Sequence, residues 1–188
     1  MLRRSINCAI YTAIAAFAAS AAAAEVTQYE DKSAWEADVG DYTTIDFTGF
    51  DWGTIITDQY ADLGVLFTDG DDKIVHGDPI DNWALDGKDS VTIRFDHPQL
   101  WFGVDYPGAM QISFYRNNEW VYTSSQFGGT GGPYFAGVVL SETFNEVILE
   151  DWFIAPVFLD NVYFGVPAPG AWCLMAIAGL AGRRRRRH

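Results

Sequence analysis

Beyond residue 43 the chain is written mainly in short alternating runs separated by Gly, Asp and Asn, and this pattern limits its fold more than any other feature. Val91, Ile93 and Phe95 alternate with Thr92, Arg94 and Asp96; Met110, Ile112 and Phe114 alternate with Gln111, Ser113 and Tyr115. A period of two buries one face of a strand and wets the other. Arg116-Asn117-Asn118-Glu119 is turn chemistry between two such runs, which predicts a hairpin ending in Trp120-Val121-Tyr122. Further strands are expected at 43–47, 64–67, 100–104, 134–140, 146–149 and 159–164, with a loop over 128–133. About nine strands spaced at roughly 8–15 residues predict an all-β, antiparallel sandwich. The one convincing helix is 32–39, where Ser33 and Glu36 have capping-box spacing and Gly40 stops the run.

Such a sandwich must hold together by packing. The only cysteines are Cys8 and Cys173, so no disulfide joins any of these strands to another. The 188 residues are 49% hydrophobic and 15% aromatic, enough for one domain's core and too much for a disordered acidic segment.

The net charge of −13 is unevenly spread. Between 25 and 166 there are five basic residues and all 25 acidic ones, a net of −20. That surface excludes sequence-independent nucleic-acid binding, which needs a basic face. The remaining basic residues sit at the two ends, which read as addresses. Arg3 and Arg4 precede an apolar run from Ala9 to Ala19, and Ala22 and Ala24 fit a small-x-small cleavage site, so residues 1–24 are expected to be a secretory signal peptide. At the other end Val166, Pro167, Pro169 and Gly170 open an uncharged stretch of 17 residues, closed by Arg183, Arg184, Arg185, Arg186 and Arg187. That length is at the lower limit for a membrane span, and the arginines are expected to stay on the cytoplasmic side.

The tripartite tail at 166–188 resembles the PEP-CTERM sorting signal of Gram-negative bacteria, in which a Pro motif precedes a short apolar helix and an arginine cluster. Ala168 stands where that family usually has Glu. The resemblance implies an exosortase-like membrane protease as processing partner and transient tethering at the inner membrane. Delivery to the cell surface or extracellular matrix would follow. The segment between the two ends, 25–165, also resembles PEP-CTERM ectodomains. Its matching stretches are Ile45-Asp46-Phe47, the run Asp58-Gln59-Tyr60-Ala61-Asp62-Leu63-Gly64-Val65-Leu66-Phe67, Phe135-Ala136-Gly137-Val138 and Leu159-Asp160-Asn161-Val162-Tyr163-Phe164-Gly165. This implies a jelly-roll-like β-sandwich, a shape shared with carbohydrate-binding modules.

Jelly rolls often set their opening and closing strands side by side, and related sandwiches hold a structural calcium there. Asp46 and Asp160 are therefore the expected Ca2+ ligands; edge aspartates holding backbone donors are the competing reading. The acidic stretch from Asp69 to Asp89 could hold a second calcium. It lacks the EF-hand spacing and reads better as a solvated loop. Aromatic rings with a polar edge suit sugar faces. Trp52 and Trp83 lie in loop-like, acidic or polar contexts and are the expected glycan contacts, whereas Trp101 and Trp152 sit among apolar neighbours and are expected in the core.

Signals for catalysis are weak. His76 and His97 lack any motif, no Gly-x-Ser-x-Gly elbow occurs, and 25 acids make some carboxylate pair inevitable. No His/Cys zinc spacing, P-loop or dinucleotide fingerprint is present. The expected function is that of an exported, non-catalytic surface or matrix protein that binds or packs within exopolysaccharide. A secreted polysaccharide hydrolase and a purely structural coat or adhesion module are the alternatives.

Overall fold

The computed structural model describes residues 25–77, 80–152 and 156–165. The expected signal peptide with Ala22 and Ala24, and the sorting tail from Val166 to Arg187, lie outside them. Among the described residues no helix is long and apolar enough to cross a membrane.

The alternating runs pair as antiparallel strands: β1 (Val26–Tyr29), β2 (Thr43–Ile45), β3 (Val65–Phe67), β4 (Lys73–Gly77), β5 (Ile80–Asp86), β6 (Ser90–Tyr106), β7 (Ala109–Arg116), β8 (Glu119–Thr123), β9 (Phe127–Gly128), β10 (Tyr134–Asp151), β11 (Phe158–Leu159) and β12 (Asn161–Gly165). Two of them organise the rest. β6 and β10 run 17 and 18 residues, and each serves two groups of neighbours. The C-terminal half of β6 and the N-terminal half of β10 pair with each other and with β12 and β1. Their other halves pair with each other and with β3 and β7. The switch falls at a register irregularity between Val139 and Glu146 of β10. Bulges bend a strand and increase its twist, which lets one strand serve two layers.

The halves face each other across one core. Phe102 of the first half meets Phe114 beside the second, with ring centroids 6.2 Å apart, and Phe95 of the second half meets Phe164 at 5.0 Å. Ile93, Val104, Ile112, Val138, Val147 and Val162 complete this interior. The mostly antiparallel, all-β sandwich is thus what the alternation predicted.

Three expectations change in detail. The two runs on either side of His97-Pro98 are one strand, β6. Proline lacks the ladder N–H, and it is accommodated because residues 95–98 have no partner in the β10 register. The acidic stretch 69–89 is not simply a loop. Ile74 and Leu85 are fully buried, and their strands β4 and β5 form a small second sheet with β11 that joins the same core. The many aspartates around them had masked this alternation. The helix, α1 (Lys32–Asp38), is capped not by Ser33 but by Asp31, whose carboxylate accepts from the Ala34 N–H at 2.9 Å.

Helix α1 covers the outer face of the β12–β6–β10 layer through a second, smaller apolar cluster: Trp35, Val39, Leu100, Trp101, Phe135 and Tyr163. Gly103 and Gly137 are register partners, and together they leave a flat patch without side chains on which Trp35 lies fully buried.

Candidate functional sites

An open groove of about 700 Å³ runs beside the start of α1. Glu30, Asp31, Asp105, Asp160, Lys32 and Tyr134 are among the residues lining it. Its floor is a hydrogen-bonded knot. Asp105 Oδ2 accepts from the Tyr163 hydroxyl at 2.5 Å, from Asn161 Nδ2 at 3.2 Å and from Lys32 Nζ at 3.4 Å. Lys32 also donates to the Tyr163 oxygen and stands 3.9 Å from the ring centroid. Burial, and then the Asp105 carboxylate, hold the Tyr163 phenol well above the usual tyrosine range.

This groove receives one of the expected calcium ligands. The pairing of Val162 with Ile45 carries Asp46 and Asp160 to the same end of the β2–β12 pair. Asp160 faces the groove. Asp46 is exposed, and its Oδ1 accepts from Thr48 N at 3.1 Å and Thr48 Oγ1 at 2.9 Å, the arrangement of an Asx turn. The nearby Tyr60 phenol is pushed up to about 12, by burial first and the Asp46 charge second. Among the described residues no three Asp, Glu, His or Cys side chains gather as a ready-made metal cage.

The tryptophans divide differently from the expectation. Trp52 is 68% exposed. Trp83 is half-buried on β5, packed against the core. Trp101 is in the core, but Trp152 is 48% exposed, because it follows the end of β10 and so leaves the layer.

Trp120, which the sequence reading left unassigned, is 64% exposed and belongs to a built surface. A register irregularity in β8 turns Val121 and Tyr122 toward the core and leaves Trp120 and Thr123 on the outer face. There Trp120 Nε1 donates to Thr123 Oγ1 at 2.9 Å, and Thr123 Oγ1 is 3.0 Å from Ser113 Oγ. Following the register across the sheet gives a continuous outward row: Leu66 on β3, Arg94 on β6, Glu146 on β10, Tyr115 on β7 and Trp120 on β8. Arg94 and Glu146 are ion-paired within it. A second row holds Thr92, Ile148, Ser113 and Thr123. The signal was present in the sequence as the outward phase of the β7 alternation, but the irregularity that keeps Trp120 in that phase is invisible there.

A third place is the junction before β4. Asp72 is fully buried, and neither carboxylate oxygen has a hydrogen-bond partner. Burial, followed by the charges of Asp69, Asp71 and Asp86, pushes its carboxyl up to about 7.

Compared with protein-family models, with curated proteins and with solved structures, the chain matches none.

Proposed function

We propose that the chain is an exported, non-catalytic surface or matrix protein whose β-sandwich binds polysaccharide on its outer sheet face. The observation that carries this reading is Trp120, a largely exposed indole on a sheet rather than on a loop, fixed by Thr123 and flanked by the cross-strand Tyr115. Sugar rings present an apolar face and a hydroxyl edge. A pre-set aromatic plane meets the first; Glu146, Arg94 and Thr123 supply donors and acceptors for the second. Rigid aromatic anchors also cost little side-chain entropy on binding. Trp52 is a second exposed ring on a loop.

The jelly-roll reading of the sandwich belongs to this proposal, supported by the long strands shared between layers. Export rests on the leader-like residues 1–24. Membrane tethering and processing by an exosortase-like protease rest on the Pro motif, apolar stretch and arginine block of 166–188.

A hydrolase is the second reading, favoured by the carboxylates along the α1 groove. Against it, Asp105 is committed to three donors that hold the fold together.

The test is a glycan array with the full chain, W120A and W52A. Binding by the wild type that falls about tenfold or more in W120A supports the reading. No bound glycan, or W120A binding at the wild-type level, would overturn it; release of reducing ends from a bound glycan would move the function to the groove.

A further inference from the structure

Two loops face each other beside the small sheet. One is Asp69-Gly70-Asp71-Asp72; the other is Asp86-Gly87-Lys88-Asp89-Ser90. The pairing of Lys73 with Asp86 sets Asp72 against Gly87. We propose that these loops bind a divalent cation, calcium, with Asp72 as its innermost ligand.

The acidity of the loops is not the argument, since solvated acids are common on this domain. The argument is Asp72. A carboxylate shut off from water and left without a donor costs several kcal/mol, and proteins rarely keep one without a cation, a proton or a metal. The Asp72 carboxylate has no hydrogen bond, and the residue has no exposed surface. The basic groups nearby are engaged elsewhere: Lys88 with Asp71, and Lys73 with Asp86 at 3.6 Å.

Two oxygens flank Gly87: Asp72 Oδ1 and the Ser90 carbonyl oxygen lie 3.3 Å and 2.9 Å from the position a Cβ there would take, and the Val91 Cγ2 methyl closes that position at 2.0 Å. Asp86 is at the rim, with its side chain 15% exposed. Asp69 Oδ2 holds the Thr92 N–H at 2.6 Å, which ties the acidic loop to β6. No cysteine lies among the described residues, so the donor set is hard oxygen. Calcium accepts six to eight such ligands in irregular geometry and takes carbonyls and water alongside carboxylates, whereas magnesium demands a near-ideal octahedron. Three side chains do not converge here as a finished cage. Binding therefore recruits Asp71 or Asp86 from its lysine, together with backbone oxygen and water.

The experiment is thermal unfolding of the full chain after EGTA treatment, in magnesium and in calcium, for the wild type, D72N and D71N. Calcium at a hundredfold excess over its Kd is expected to raise the wild-type Tm by roughly 5–10 °C, and magnesium by much less. D72N is expected to lose the calcium response while its metal-free Tm is no lower than that of the wild type. If D72N does not fold, D71N must show a weakened calcium response for the proposal to stand. An unmoved wild-type Tm, an equal response to magnesium, or a full response in D72N would each overturn it. None of these outcomes bears on glycan binding by the Trp120 face.

Discussion

Trp35 of α1 lies so close over Gly137 of β10 that a Cβ there would sit 2.5 Å from Trp35 Cδ1. The same atom would be 2.8 Å from Phe135 Cε1. Both aromatic rings are buried and packed on each other and on Tyr163, with Tyr42 also against Trp35, so neither can step aside cheaply. G137A is expected to destabilise the fold by about 1–3 kcal/mol through overpacking. Urea unfolding checks this, and a midpoint equal to the wild type would mean that α1 is free to lift. W35A, which empties the same place, is expected to cost about 3–5 kcal/mol.

Tyr163 and Asp105 make the groove floor a point of stability. Removing the hydroxyl in Y163F leaves Asp105 with one donor fewer, at an expected cost of about 1.5–3 kcal/mol. The phenol's folded pKa lies above its unfolded value, so the folded state holds the proton longer. Its stabilisation is complete below the unfolded tyrosine value of ~10 and is lost as pH climbs beyond it. Unfolding free energy measured across that range should fall with pH, and Y163F should fall less steeply. Parallel slopes would assign the alkaline sensitivity to the other buried tyrosines.

Asp31 caps α1 from a position that the sequence reading gave to Ser33. D31A is expected to lose about 0.5–2 kcal/mol, whereas S33A should stay within about 0.5 kcal/mol of the wild type. Equal losses in paired urea titrations would restore the capping box.

Trp120 should be separable from stability. Its ring is largely exposed and makes one side-chain hydrogen bond, to Thr123. W120A is expected to change the unfolding free energy by less than about 1 kcal/mol. Differential scanning calorimetry of W120A beside W35A makes the comparison direct. A large loss in W120A would mark the ring as structural and remove it as a binding surface.

Local alternation made the strands legible. The β7–β8 hairpin and the buried phases of β6, β10 and β12 follow from side-chain spacing of two, and the short helix from its local start and stop residues, signals that each segment carries in itself. The absence of cysteine between the ends likewise told in advance that packing must hold the domain. Beyond the β7–β8 hairpin and the β2–β12 pair expected from the resemblance, pairing was not legible, because it depends on residues far apart in the chain. The runs on either side of Pro98 read as two strands, and the irregular β10 register, which leaves 95–98 without a partner there, lets them be one. Ile74 and Leu85 were hidden among aspartates until their burial drew two strands out of an apparent loop.

The same division holds for the sites. Residue type and context drew attention to Asp160 and Trp52, and the acidic run from Asp69 was visible from composition alone. Only the tertiary structure set Asp160 beside Asp105, turned Trp120 outward through an irregular register, and closed the core over Asp72. Alternation says which residues share a face. Which face meets water, and which charge loses it, is decided by what packs against it.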